Sequence, residues 1–183
     1  SRDHAARHGS DRFVYNGLDW SAYGKVDLGA VRRNFHFLGK GDWPFKNLQG
    51  AIDVALAAGA QLDVLGGKRL QTQNGWRFTW QPSIHFHGMV GGAKKFALLN
   101  ASRGMVFPVR WHEPFGLAVV ESLYFGCPVF ATPYGAIPEL VPAHCGVLSN
   151  SLGTLASALG DAARFSAQAC HEQARDHFNA ERM

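Results

Sequence analysis

Two glutamates stand out as residues that could do chemistry. Glu113 precedes, and Glu121 lies within, an almost wholly apolar run over residues 115–125. Such a run predicts a buried helix, in which an ionised carboxylate is costly unless it is paired, hydrogen-bonded or turned toward a wet cleft. Because carboxylates accept hydrogen bonds strongly, both side chains suit a ligand rich in hydroxyl groups. A preference for the helix start at Glu113, and an exposed helix edge at Glu121, are the purely structural alternatives.

The start of that helix is a candidate anion site. Pro114 suits the first helical turn, and Gly116 allows close approach to the backbone. The N–H groups of Phe115, Gly116 and Leu117 would point out of the helix start, where the helix dipole is positive, with capping by water as the alternative. Two helical turns put Glu113 about 10 Å from the second glutamate, beyond the roughly 5 to 9.5 Å between glycosidase carboxylates. We therefore expect the two carboxylates to hold different parts of one long ligand.

Two lysines occupy a loop that precedes this region. Lys40 and Lys46 follow a predicted strand, Asn34–Leu38, and lead into a helix predicted from residue 46 or 47 to residue 58. Open α/β sheets bind ligands at the carboxyl ends of their strands. Two ammonium groups in such a loop would attract a phosphorylated ligand, and solvated loop lysines are the alternative.

The elements that must position these residues alternate between strand and helix. Further strands are predicted over residues 13–16, 61–65, 84–87, 105–109, 127–131 and 146–148, and further helices over 93–101, 136–141, 151–159 and 164–178. This alternation predicts an α/β fold, a Rossmann-like parallel sheet with helices on both faces. Residues 68–83 predict a hairpin or loop insertion. We expect its aromatic residues to be buried under the loop rather than to form a stacking platform: Trp76, Phe78 and Trp80.

Composition excludes several classes of protein. The chain has 183 residues, 46% hydrophobic and 17% charged, which is typical of a globular domain. A net charge of +4 without a Lys/Arg block does not indicate nucleic-acid binding, and no apolar run reaches membrane-spanning length. Three cysteines without metal-ligand spacing indicate reduced thiols and no metal site. A cytoplasmic location is therefore expected, with peripheral membrane attachment of a full-length protein left open.

The motifs resemble a known family. The run Glu-Pro-Phe-Gly-Leu at residues 113–117, closed by Glu121, is followed by Gly-Cys-Pro-Val at 126–129 and Gly-Ala-Ile-Pro-Glu at 135–139. Together these resemble the donor-sugar half of retaining GT-B glycosyltransferases, the group 1 or glycogen synthase-like family. The run Val-Tyr-Asn-Gly-Leu-Asp at 14–19 is similar to the stretch that joins the acceptor domain to the donor domain in that family.

The resemblance implies roles for individual residues. Lys40, where the family usually has Arg, and Lys46 would hold the donor diphosphate, together with the amides at the helix start. Glu121 would bind the ribose hydroxyls and Glu113 would lie near the sugar ring, while Glu139 would contact the sugar or only shape its turn. The remaining binding positions implied by the family pattern are Gly39, Gly66, Gly88, Met89 and Val90, of which the last three would follow the edge of the base.

The resemblance also implies an activity. The enzyme would transfer a hexosyl unit from a UDP-, GDP- or ADP-sugar to an acceptor hydroxyl, without a metal or another cofactor. Residues 1–16 would be the linker and the end of a missing N-terminal acceptor domain, and residues 17–183 the donor domain, truncated before its final crossover helix and inactive alone. Three alternatives remain: a sugar-nucleotide epimerase, a phosphorylase with a pyridoxal lysine, and a non-catalytic nucleotide-sugar-binding module.

Overall fold

The computed structural model describes residues 1–182, with side chains through residue 181. The predicted donor domain, residues 17–183, is therefore described except for its last residue. The strands are β1 (Asn34–Leu38), β2 (Leu62–Leu65), β3 (Leu70–Gln71), β4 (Arg77–Phe78), β5 (Ile84–Gly88), β6 (Ser102–Phe107), β7 (Val129–Ala131) and β8 (Gly146–Leu148). The α-helices are α1 (Arg2–Arg7), α2 (Leu48–Ala57), α3 (Gly92–Asn100), α4 (Leu117–Tyr124), α5 (Ile137–Leu140), α6 (Leu152–Gly160) and α7 (Ala167–His177).

Six of the strands form one sheet in the order β5-β2-β1-β6-β7-β8, and every neighbouring pair is parallel. Parallel neighbours require crossover connections, which α2, α3, α4 and α5 provide in turn. The connection from β2 to β5 instead carries the antiparallel pair β3–β4. The Rossmann-like α/β fold expected from the alternation is confirmed, and the predicted insertion at residues 68–83 is a hairpin.

The core lies on both faces of this sheet. The central strands are buried along their length, as shown by Phe35, Val64 and Val106, each at most 1% exposed. Helix α2 packs against α6, and α4 packs against α7. Helices cover both faces of a parallel sheet because strands buried on two sides have no polar face to offer water.

One buried polar group ties α4 to the sheet. The imidazole of His36 in β1 is within hydrogen-bonding distance of the Ser102 hydroxyl, at 2.7 Å, and of the Ser122 hydroxyl of α4, at 2.8 Å. Burial lowers the pKa of His36 to about 3, so the ring is neutral in the folded protein at neutral pH. A polar contact at the centre of the sheet therefore fixes the position of α4.

Several element boundaries differ from the prediction by one to three residues, and one predicted strand is absent from the described chain. Helix α4 begins at Leu117 rather than at residue 115, because Gly116 has φ +102°, outside the helical range, and serves as the N-cap. Residues 13–16 form no strand within the described chain, and Val14 there is 64% exposed. The helix predicted over 164–178 is α7, which begins at Ala167 after the N-cap Ser166, and residues 162–164 form a separate 3-10 turn.

The prediction that the hairpin aromatics are buried is wrong. Trp76, Phe78 and Trp80 are 76%, 52% and 72% exposed. The inner face of the hairpin is already filled, because the guanidinium groups of Arg69 and Arg77 lie over the Phe86 ring at 5.4 and 5.5 Å. The aromatic side chains therefore point outward.

Candidate functional site

A cleft of about 410 Å³ opens at the carboxyl ends of β1, β2 and β5. Backbone hydrogen bonds join the loops that follow these strands: the Gly41 N–H donates to the Gly66 carbonyl, and the Gly66 N–H to the Gly88 carbonyl, each at 2.7 Å. The residues that line the cleft include four of the predicted site residues, Lys40, Gly66, Gly88 and Met89, together with hairpin residues 70–73. The three loops therefore make one wall.

Gly66 is required by close backbone packing. Its φ is +105°, and a Cβ at this position would lie 2.2 Å from the Gly39 carbonyl oxygen. Gly66 therefore packs directly against the loop that follows β1, on the floor of the cleft.

Lys40 is a cation exposed at the cleft. Its Nζ lies 4.5 Å from the centre of the Trp43 ring, a cation–π contact that orients the side chain. Among residues 1–182, no carboxylate lies within ion-pair distance of Lys40. Its charge is therefore available to an anion in the cleft.

Lys46 has a different environment. Its Nζ donates to Oε2 of Glu113 at 2.6 Å, and the Trp111 indole N–H donates to the same oxygen at 3.0 Å. The side chains of Lys46 and Glu113 are only 15% and 10% exposed. Lys46 is the last residue of the short 3-10 turn Pro44–Lys46, and the next residue, Asn47, fixes the loop by donating to the Pro108 carbonyl at 2.7 Å. Of the three predicted catalytic residues, Lys40, Lys46 and Glu113, the last two are thus paired with each other, and neither of them lines the cleft.

The backbone of Glu113 is seated against a second loop. Glu113 bridges to Gly135, and its carbonyl accepts from the Ala136 N–H at 2.8 Å. A Cβ on Gly135 would lie 2.4 Å from both the N and the O of Glu113. The position of this glutamate therefore depends on a glycine that follows the next strand.

Glu121 is held by two side chains that sequence reasoning missed. Its Oε1 accepts from the Tyr23 hydroxyl at 2.6 Å and from Lys95 Nζ at 2.7 Å. Burial, and then the hydrogen bond to Glu121, raise the pKa of Tyr23. No local pattern could have revealed this group, because its members are far apart along the chain.

Each glutamate keeps one oxygen uncommitted. Among residues 1–181, whose side chains are described, hydrogen bonds reach only Oε2 of Glu113 and only Oε1 of Glu121. A carboxylate held in this way is oriented by its partners and still has an oxygen that can accept from a ligand hydroxyl.

The amino end of α4 has no side-chain cap. Gly116 is its N-cap, and its carbonyl accepts from the N–H groups of Val119 and Val120 at 2.9 and 3.2 Å. Phe115 is buried, whereas Leu117 is 48% exposed. The role expected for the Phe115, Gly116 and Leu117 amides, like that of Gly39 and Val90 beside the cleft, stays a prediction.

Glu139 contacts the N-terminal segment. It accepts from the backbone N–H groups of Arg2 and Asp3 at 2.9 and 2.7 Å and from the Tyr15 hydroxyl at 2.8 Å. Burial acts against ionisation here, but these hydrogen bonds outweigh it and lower the pKa of Glu139. In this structure the carboxylate therefore joins residues 1–16 to the rest of the domain.

Two features are absent from residues 1–182. No group of three or more His, Cys, Asp or Glu side chains is placed to hold a metal ion there. In the same range no helix is both long enough and apolar enough to cross a bilayer. Transfer without a metal stays a prediction.

Comparisons with known proteins point in one direction. The profile of a family described as "Glycosyl transferases group 1" matches residues 32–167. No curated protein sequence matches the chain. Among solved structures, AviGT4, a glycosyltransferase involved in avilamycin A biosynthesis, is similar with a TM-score of 0.77 and 21% identity over 100% of this chain.

Two further structures are similar to the chain. Sucrose-phosphate synthase from Thermosynechococcus elongatus has a TM-score of 0.75 and 21% identity over 98% of this chain. Anabaena HepE, solved with UDP and glucose, has a TM-score of 0.73 and 18% identity over 97% of it. The chain spans 60%, 52% and 56% of the lengths of AviGT4, the synthase and HepE. At these identities the likeness establishes the fold, half of a GT-B architecture.

Proposed function

The chain belongs to the group 1 glycosyl transferases, and on this basis we propose that it is the donor-binding domain of a retaining enzyme that transfers a hexosyl unit from a nucleoside diphosphate sugar to an acceptor hydroxyl. The observation that carries the proposal is the cleft at the carboxyl ends of β1, β2 and β5, where Lys40 presents an unpaired ammonium above a glycine-rich floor. Open α/β sheets bind nucleotides at this edge.

The diphosphate is the part of the donor that gains charge as the sugar leaves. An ammonium at the cleft and an uncapped helix start both favour an anion, and electrostatic stabilisation of this kind is a large contribution to catalysis. Lys40 supplies the first of these, and the amino end of α4 the second. Lys40 would attract the diphosphate as a single point charge, whereas an arginine at this position could form two parallel hydrogen bonds to a phosphate.

The two glutamates would accept hydrogen bonds from opposite ends of the donor. Glu113 binds the sugar and Glu121 the ribose, each through its uncommitted oxygen. Lys46 orients Glu113 through their 2.6 Å contact, and an ammonium with three donors can also bind a phosphate oxygen. Lys46 would therefore link the diphosphate to the sugar-binding carboxylate.

The nucleotide we test first is UDP. HepE, which shares the fold, was solved with UDP, with UDP-glucose, and with UDP and glucose. The acceptor site and the remaining catalytic groups would belong to an acceptor domain outside these residues, so we expect the chain to bind a donor without transferring its sugar. A cytoplasmic location is supported by three buried, unpaired cysteines.

Thermal-shift and calorimetric titrations test the proposal. UDP, GDP, ADP and their sugars are titrated into the chain, and one nucleotide series should raise the melting temperature, because a ligand bound only by the native state stabilises it. Glu121→Ala should then weaken nucleotide binding by about 1.5 to 3 kcal/mol, the worth of a hydrogen bond to a charged group.

Lys40→Ala should weaken the binding of nucleoside diphosphates more than the binding of nucleosides. The matched control is Lys25→Ala, which removes an exposed lysine outside the cleft. If neither Glu121→Ala nor Lys40→Ala changes the affinity for any of the nucleotides, the proposed site is contradicted.

A further inference from the structure

The β3–β4 hairpin carries an exposed apolar surface, here called the aromatic face, formed by Leu70, Trp76, Phe78 and Trp80. These side chains are 51%, 76%, 52% and 72% exposed. Trp76, Phe78 and Trp80 alternate with inward residues, and Leu70 pairs with Phe78 in the ladder, so that all four share one side of the hairpin. At strand spacing the two tryptophans are about 13 Å apart.

The inner side of the hairpin is polar and firmly bound. Arg77 donates to the Thr79 hydroxyl at 2.7 Å and to the Lys68 carbonyl at 3.0 Å. Arg69 donates to the carbonyls of Thr79, at 2.7 Å, and Ile84, at 2.8 Å. The polarity expected of a hairpin on a sheet is reversed, with guanidinium groups inside and aromatic rings outside. The outward-facing aromatic rings are thus carried by a hairpin whose backbone is held in place by arginine hydrogen bonds.

The hairpin lies within a long stretch of sequence, residues 64–112, whose charged Lys, Arg, Asp and Glu side chains are all basic. Residues 64–112 contain no Asp or Glu, whereas all 14 acidic residues and 11 of the 18 Lys and Arg lie outside this stretch. Near the aromatic face, Lys68 lines the donor cleft beside Leu70, and Arg110 lines a second cleft beside Trp76. Both cations are exposed. Asp42 is the acidic residue in the donor cleft, and its carbonyl accepts from Gln71 at 3.2 Å in the hairpin.

We infer that the aromatic face docks into the interfacial region of an anionic lipid bilayer. Tryptophan is favoured at the boundary between headgroups and acyl chains, because its apolar ring can contact the acyl chains while its N–H donates a hydrogen bond in the headgroup region. Lys68 and Arg110 would add attraction to anionic headgroups, which apolar insertion alone would lack. Leu70, which completes the aromatic face, suits lipid better than a saccharide, because it offers no hydrogen bond to a hydroxyl.

Docking in this way would bring the donor cleft to the membrane surface. Hairpin residues 70–73 form part of the cleft wall, so the same element serves both surfaces. The inference does not depend on which nucleotide or sugar the cleft accepts.

Vesicle flotation tests the inference directly. The chain is mixed with vesicles of phosphatidylglycerol and phosphatidylcholine in equal amounts, or of phosphatidylcholine alone, and floated on a density gradient. We expect binding to the anionic vesicles that weakens with salt, and weaker binding to the neutral ones. The double variant Trp76→Ser/Trp80→Ser should need roughly 100-fold more lipid for half-maximal binding, because each large apolar side chain contributes about tenfold or more.

The control variant is Val31→Ser, which removes an apolar side chain 75% exposed outside the hairpin and should float like the wild type. Circular dichroism and thermal melting should be unchanged in both variants, since the replaced side chains are exposed. Absence of wild-type flotation, equal flotation with neutral vesicles, or flotation of the double variant at wild-type lipid concentrations would each overturn the inference. So would retardation by a polysaccharide gel without vesicle binding, or a tryptophan-dependent dimer in sedimentation.

Discussion

The Lys46–Glu113 and Lys95–Glu121 pairs have nearly the same length, 2.6 and 2.7 Å, and similar burial. Their backbones are anchored by different means. Glu113 lies in a loop whose backbone is seated on Gly135, whereas Glu121 lies within α4. Each carboxylate is held by two side-chain donors, Lys46 and Trp111 at Glu113, and Tyr23 and Lys95 at Glu121. A shift of the Glu113 backbone would therefore disturb two loops, whereas a shift of the Glu121 backbone would require α4 to move.

The largest effect is expected from breaking the first pair. Lys46→Met leaves Glu113 buried with only the Trp111 indole as a donor, and removal of one partner of a buried pair costs about 3 to 5 kcal/mol. Urea unfolding measures this change. The double variant Lys46→Met/Glu113→Gln should recover much of the loss, because it leaves no uncompensated charge. A loss below that of the exposed control Lys25→Met would show that the pair is effectively solvated.

The backbone contact of Glu113 can be tested separately. Gly135→Ala should destabilise the fold by roughly 3 kcal/mol, because the new Cβ meets the backbone of Glu113 and φ is +66°. Gly160→Ala is the matched control, since it lies in open space with ordinary φ. If both variants melt alike, the two loops are not tightly seated. A nucleotide titration of Gly135→Ala should also show weakened donor-sugar binding.

The position of Glu121 depends on the seating of α4, which His36 fixes through Ser122. The folded pKa of His36, about 3, lies below the ordinary value near 6.5, so the unfolded chain takes up the proton first. The contribution of the neutral His36 ring to the free energy of unfolding is therefore complete above about pH 6.5, and it declines as the pH falls toward 3. Between pH 7 and pH 5 we expect a loss of about 2 kcal/mol. Urea unfolding of His36→Gln at both pH values should show a flatter dependence; an unchanged slope would contradict this assignment.

The smallest effect is expected at the second pair. Lys95→Met should cost about 1 kcal/mol, because the Tyr23 hydroxyl that remains on Glu121 donates at 2.6 Å, whereas the Trp111 indole that remains on Glu113 donates at 3.0 Å. The Glu121 side chain is also slightly more exposed than that of Glu113, at 14% against 10%. Adding Tyr23→Phe should then cost more than either change alone, as a double-mutant cycle would measure. If Lys95→Met destabilises the fold as much as Lys46→Met, the contrast between the two pairs is wrong.

Much of this protein was readable from local pattern. Apolar runs bounded by Gly and Pro predicted the six strands of the sheet, and the motif around Glu113 and Glu121 predicted the family. These succeed because a strand or helix buried in a parallel α/β fold must be apolar over its own length. Boundaries shifted where one residue set the backbone, as at Gly116, whose positive φ delays α4.

Long-range packing settled what local pattern left open. Lys46 meets Glu113 across 67 positions, and Tyr23 meets Glu121 across 98, and no periodicity encodes such partners. The same holds for the hairpin, whose aromatic residues were predicted to be buried. Arg69 and Arg77 occupy its inner side, and Trp76 is exposed. Periodicity reports which residues share a face, whereas burial depends on what the rest of the chain brings against that face.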